Sequence, residues 1–362
     1  MKHEQIAIVI WKRNRIKESY VGDFYDKSNR AITEMNKIPI RLVEYSRVLL
    51  SKLNGKEIAI AEYLIEQKFS DMGSFDIFRG LPRNLSSENG ERCIKGKEIG
   101  RYFIRFPQEF VNVSTVNDSR IIRLKREKII AQRIVAHVTQ PFDRIMIMAF
   151  PDMFGHLTFE TVTNIVPEKE DVIKPVTLIL NSRFVCWFVY SMIYNKAIRD
   201  MDFDAYFVKR ILLPNYENQV KYLNILCDYL LFLNADENIS CSLAEVIDFI
   251  DTGLVDFLVY ELYFKEKFAE DGLYPEPKEY LLEEVSKHLK PINYDRWAEL
   301  YWKKQINGDL TEEEHKELEK LEKENMKTTE EIYKALKKDV KIKELIEKIK
   351  SHEWVKVIEG KG

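Results

Sequence analysis

From Asn215 onward the spacing of apolar residues is helical throughout, whereas upstream it is mostly that of strands. Upstream, from Ser74, short β-branched and alternating runs are separated by turn signals: RGLPRN at Arg79 to Asn84, SSENGE at Ser86 to Glu91, VNDSR at Val116 to Arg120 and PDMFG at Pro151 to Gly155. Downstream, Leu243, Val246, Ile247, Ile250, Leu254, Phe257, Leu258 and Leu262 recur at spacings of three and four, the signature of an amphipathic helix. A period of two followed by a period of 3.6 predicts an α+β chain: a strand-rich part, then a helical carboxy-terminal region. At 362 residues the chain has room for two or three domains. The division expected is 1–73, 74–215 and 216–362.

Within the strand-rich part, Lys128 to Val138, Arg144 to Phe150, Thr161 to Val166 and Tyr206 to Leu213 read as strands. Pro175 to Tyr194 (PVTLILNSRFVCWFVYSMIY) reads as a buried helix opening after a proline. Upstream, Gln5 to Trp11 and Ile38 to Tyr45 read as strands, Lys12 to Lys37 as loop with one short helix, and Ala59 to Gln67 as helix or extended chain. Near the carboxy terminus, Thr311 with Glu314 and Thr328 with Glu331 have capping-box spacing, which predicts two helix starts. No period of 20 to 50 residues repeats.

Composition supports packed cores: 45% of residues are hydrophobic and 12% aromatic. Cys93, Cys186, Cys227 and Cys241 include no C-x-x-C pair, so they indicate neither a zinc site nor a disulfide framework and suit a reducing compartment. The amino terminus lacks the features of a signal peptide. No apolar stretch has the make-up of a membrane span. The expected location is the cytoplasm, with no membrane partner.

The net charge of -3 conceals a basic window. From Arg79 to Arg133 there are 13 Lys and Arg residues against 6 Asp and Glu. Tyr and Phe are interleaved with them, as on surfaces that track phosphates; the alternative is a solvated face. Catalytic signatures are missing: no G-x-G-x-x-G, P-loop, H-E-x-x-H or G-x-S-x-G occurs. His137 and His156 lack a Cys or His at ligand spacing and read as structural. Asp271 with Glu276-Pro277-Lys278 holds the residue types of a metal-dependent nuclease, but Pro277 would interrupt the presenting strand, so a turn is the better reading. Pro151-Asp152 also reads as a turn.

The order of segments carries a resemblance. FDIFRGLPRN (Phe75 to Asn84) is followed by IKGKEIGRYFI (Ile94 to Ile104), KIIAQRI (Lys128 to Ile134), TVTNIV (Thr161 to Val166), LILNSRFVCWFVY (Leu178 to Tyr190) and KRILLPN (Lys209 to Asn215). This succession resembles the target-recognition domain of TaqI-like and Eco57I-like adenine-N6 DNA methyltransferases of restriction-modification systems. LVDFLVYELYF (Leu254 to Phe264) is similar to the helix that follows that domain, and QIAIVIWKRN to a late strand of the catalytic domain. The family's NPPY loop and its glycine-rich cofactor loop are not found in this sequence.

The resemblance implies a chain that recognises double-stranded DNA and does not catalyse alone. A separate methyltransferase chain, docking on residues 1–70, would bind S-adenosylmethionine and act on the adenine; this chain would hold no cofactor and no metal. The residues it points to for DNA contact are Arg79, Arg83, Lys95, Lys97, Arg101, Tyr102 and Arg133. Two alternatives stay open: an interaction scaffold without DNA binding, and a metal-dependent endonuclease.

Overall fold

A computed structural model describes residues 18–22, 35–48, 50, 52–197, 201–235 and 243–361. The strand expected at Gln5 to Trp11 and the thiol of Cys241 lie outside these residues. Lys12 to Lys37, expected as loop, contains β1 (Glu18–Gly22), which pairs antiparallel with β2 (Met35–Pro39). The expected strand from Ile38 to Tyr45 is instead mostly helical. Pro39 sits in extended geometry at the N-cap, and α1 (Ile40–Ser46) starts behind it and buries Leu42 and Ser46 one turn apart. Next, α2 (Gly55–Glu66) opens on a full capping box, Asn54 with Glu57.

The strand-rich part is built on one four-stranded antiparallel sheet. Its strands are β3 (Asp76–Arg79), β6 (Lys128–Gln132), β9 (Ala149–Asp152) and β11 (Val162–Val166), in the order β9-β6-β11-β3. All five residues of β11 are buried, the polar Thr163 and Asn164 included. A smaller sheet, also four-stranded but of shorter strands, carries β4 (Glu91–Ile94), β5 (Glu109–Val111) and β10 (Leu157–Thr158), with Ser86–Ser87 paired to β5 at its edge. A third joins β7 (Ile134–Val138), β8 (Arg144–Met146) and β12 (Met201–Asp202). The run from Lys128 to Val138 is therefore two strands serving two sheets, changing over at Arg133. Pro151, expected in a turn, lies within β9 opposite Ile129. The short helix α3 (Asp118–Leu124) precedes β6.

The apolar run from Pro175 to Tyr194 is two helices with a bend of 62° between them, α4 (Ile173–Asn181) and α5 (Arg183–Phe188), the latter running on through a π-turn at Val189–Ile193. Sequence dictates the break. The buried Asn181 amide accepts from and donates to the backbone of Ala149 at 3.0 Å each way, which ties the helix end to β9. Ser182 leaves the helix and caps α5 with its hydroxyl. Among the described residues no single helix is long and apolar enough to cross a membrane.

Tyr206 to Leu213 is not one strand. Asp204 caps the helical turn α6 (Ala205–Val208), and only Leu212–Leu213 pairs, with Ser70–Asp71. Helices follow: α7 (Val220–Asn234), α8 (Ala244–Ile250), a π-turn at Asp251–Val255, α9 (Asp256–Glu270), α10 (Tyr280–Ser286), α11 (Tyr294–Asn307), α12 (Glu312–Lys338), α13 (Val340–Ser351) and α14 (Glu353–Ile358). Thr311 and Glu314 form the expected capping box of α12, whereas Thr328 and Glu331 lie inside that helix. Leu318, Leu321, Ile332 and Leu336 bury one stripe through the would-be break. The chain is α+β. Its three sequence segments share one apolar core, running from Ile38 to Ile358, with a satellite cluster around Leu81, Cys93, Val111 and Phe159.

Candidate nucleic-acid interface

Within the basic window, two cations without a carboxylate partner among the described residues flank Lys95 beside the smaller sheet. Lys95 follows β4 and caps a tight turn, Gly96–Glu98, whose Glu98 carboxylate accepts from the Lys95 amide at 2.7 Å. Gly96 packs directly on the next strand connection. A Cβ there would lie 2.4 Å from the Thr161 carbonyl oxygen, so no side chain fits. The Lys95 ammonium pairs with Glu109. Partial burial, then the neighbouring charges of Arg83 and Lys97, push it below its ordinary pKa. Arg83 and Lys97 are exposed and, among the described residues, have no carboxylate partner.

Arg79 and Arg133 are placed differently. Arg79, at the end of β3, reaches Asp202 and Asp204 at 3.1 Å each. Arg133, at the changeover between β6 and β7, holds Asp202 through Nε at 2.8 Å and Nη2 at 3.0 Å. The Asp202 bond, ahead of the opposing effect of burial, raises the Arg133 guanidinium pKa. Two guanidiniums thus face two carboxylates, and the local charge is zero.

Arg101 and Tyr102 point inward, contrary to the expectation that they touch DNA. They occupy the turn of a minimal hairpin, Ile99–Gly100 with Phe103–Ile104. Arg101 grips Asp251 with two bonds of 2.5 Å and also donates to the carbonyl of Asn181. Burial opposes its charge, but Asp251 and Asp256 outweigh that, and its pKa lies well above the ordinary value. Tyr102 has a left-handed φ of 66° and is 1% exposed, with its hydroxyl unpartnered. These two residues fasten the strand-rich part to the helical region.

The whole basic window follows the same division. Arg79, Lys95, Arg101, Arg123, Lys125, Lys128 and Arg133 each face a carboxylate. Five of those acids, Asp76, Asp152, Asp202, Asp204 and Asp251, come from outside the window. Arg92 lies over the rings of Phe106 and Phe110 and donates to Pro107, and Arg120 donates to Gly80. Arg83, Lys97, Arg105 and Arg126 remain exposed, with no acidic partner among the described residues. Arg105 and Arg126 could be singled out only from the fold, because nothing local in the sequence separates a paired arginine from an unpaired one.

The other chemistry-bearing residues are engaged structurally. His156 meets Asp152 at 2.7 Å, and His137 lies 3.4 Å from the Tyr190 hydroxyl. Asp271 is held by Lys267 and by His352 at 2.9 Å, in a turn between α9 and α10. Among the described residues no three His, Cys, Asp or Glu side chains come together where a metal ion could be held. No family model matches this chain, and no curated protein matches it.

Proposed function

We propose that this chain is the DNA-recognition component of a cytoplasmic restriction-modification system of the adenine-N6 methyltransferase type. A separate chain would bind S-adenosylmethionine and carry out methyl transfer. The observation that carries the reading is the surface group of Arg83, Lys95 and Lys97. It lies within the segments whose order resembles a target-recognition domain, and its two outer cations have no acidic partner among the described residues. Such cations gain most by meeting phosphates, because no internal ion pair has to be broken first. Base edges would then be read by neighbouring side chains once the duplex is seated.

Duplex binding measured at low and moderate salt tests this. Specific or non-specific binding should weaken steeply with salt. Arg83→Glu with Lys97→Glu should reduce both the affinity and the salt slope, the slope by about one for each phosphate left without its cation. Absence of salt-sensitive binding, with or without a methyltransferase partner, would overturn the reading. A second reading, an interaction scaffold without DNA binding, draws on the internal pairing of seven of the window's cations. In that case the same double variant changes assembly with a partner and leaves duplex binding at background.

A further inference from the structure

A cavity of about 800 Å³ opens where α2, the β7–β8 connection, α5 and the residues after α14 converge. That volume is in the range of small-molecule sites. Its charges are unequally matched. Of the acids on its wall, Glu57 is taken by Lys196, Asp251 by Arg101 and Glu359 by Arg183. Among the described residues the cations Lys52, Arg144 and Lys361 have no carboxylate partner; Lys52 and Arg144 donate only to backbone carbonyls. Asp143, largely exposed, is the remaining acid. The wall therefore offers three cations without a carboxylate partner against one remaining acid, Asp143, which lies 3.6 Å from the His137 ring.

The apolar part of the wall is aromatic: Phe142, Trp187 and Tyr190. Two wall residues carry buried polar groups with no hydrogen-bond partner among the described residues, the Trp187 indole N–H and the Ser191 hydroxyl. Trp187 is 8% exposed and Ser191 fully buried. Leaving such groups unpaired is costly unless something else satisfies them. Both π-turns among the described residues meet here: Val189–Ile193 supplies Tyr190 and Ser191, and Asp251–Val255 supplies Asp251 and Thr252. An extra residue in a helical turn costs hydrogen-bond geometry and recurs at functional sites.

We propose that this cavity binds a phosphate-bearing aromatic ligand of nucleotide size, its ring against Phe142, Trp187 and Tyr190 and its phosphate toward Lys52, Arg144 and Lys361. The site does not depend on the DNA-recognition reading, since Arg83 and Lys97 are not on its wall.

Isothermal titration calorimetry of the whole chain with AMP, adenosine, inorganic phosphate and a 5′-phosphorylated dinucleotide tests it. AMP should bind more tightly than adenosine or phosphate alone, and Lys52→Glu with Arg144→Glu should weaken AMP by about tenfold or more. Neither residue holds an internal ion pair, so the double variant should melt like the parent, which thermal unfolding checks. Arg83→Glu with Lys97→Glu should leave AMP binding unchanged. Binding of the dinucleotide but not AMP would keep the chemistry and identify a strand end as its source. Failure of all four ligands to bind, or AMP binding indifferent to Lys52→Glu with Arg144→Glu, would overturn the proposal.

Discussion

Lys128 and Asp152 stand opposite each other in register across β6 and β9, and their side chains meet at 2.7 Å with neither exposed to solvent. Lys128 donates further to the carbonyls of Leu124 and His156, and Asp152 accepts from the His156 ring and amide. A buried pair completed in this way costs little net energy, but halving it strands a charge. Lys128→Met should therefore destabilise the chain by about 3–5 kcal/mol in urea unfolding. Burial raises the Asp152 pKa, but Lys128 and His156 together hold it below the ordinary 3.8. Its contribution is accordingly present above that value and lost as pH falls through the folded-state pKa. The pair Lys128→Met with Asp152→Asn should show a shallower loss of stability in acid than the parent.

Arg101 offers a contrast with Arg83 and Lys97. Arg101→Met removes a two-bond partner from the nearly buried Asp251 and should cost roughly 3 kcal/mol or more. Hydrogen exchange should quicken around the Ile99–Ile104 hairpin. Arg83→Glu with Lys97→Glu should leave unfolding within about 0.5 kcal/mol of the parent, as expected for exposed cations with no acidic partner. If the hairpin arginine instead proved neutral to stability, its anchoring role would be wrong.

Asp202 bonds two arginines at once. Asp202→Asn should leave Arg133 without a carboxylate and Arg79 with Asp204 alone, a net gain of one positive charge, while costing about 1 kcal/mol of stability. Under the DNA-recognition reading, duplex affinity at low salt should rise. Unchanged affinity in a folded variant would place this quartet away from any phosphate path.

Glu261 sits in the helical region with its carboxylate buried, accepting from the Tyr274 hydroxyl at 2.6 Å and from the amides of Leu281 and Leu282. Burial raises its pKa from 4.5 to about 7, against the pull of those three donors. The folded chain thus keeps a proton that the unfolded chain releases above pH 4.5. Stability from this group should decline as pH rises from about 4.5 to 7, by up to about 1.4 kcal/mol per unit. Asp228, raised to about 6 by burial despite Lys174, acts with the same sign. Glu261→Gln should flatten part of the slope in urea unfolding across that range, with a constant loss because the Leu282 amide loses its acceptor.

Much of the fold can be read locally. The change of period near Asn215, the buried strand at Val162–Val166 and the Thr311 cap all depend on residues a few places apart. Local reading fails where distant packing decides. The alternation of Ile38 to Tyr45 suggests a strand, yet Leu42 and Ser46 meet the core as a helix. The Thr328 and Glu331 spacing is real, but burial on both sides keeps α12 continuous. For the candidate site the loss is greater. A count of charge along the sequence finds the basic window but not the acids that answer it, since Asp202 and Asp251 arrive from far along the chain. Of the seven residues expected to touch DNA, Arg83 and Lys97 are exposed and unpaired, while Arg101 and Tyr102 are interior fasteners.

Trp354, on α14, packs its ring at 4.9 Å from that of Tyr63 on α2, and Lys56 reaches Glu353 nearby. Roughly 290 residues separate the two rings. At ribosomal rates of about 5–20 residues per second, Tyr63 would wait about 15–60 s for Trp354. During synthesis that side of α2 is a surface for chaperones or for other nascent chains, and any message cut short before Trp354 yields a product in which Tyr63 meets Phe264 but lacks its last aromatic neighbour.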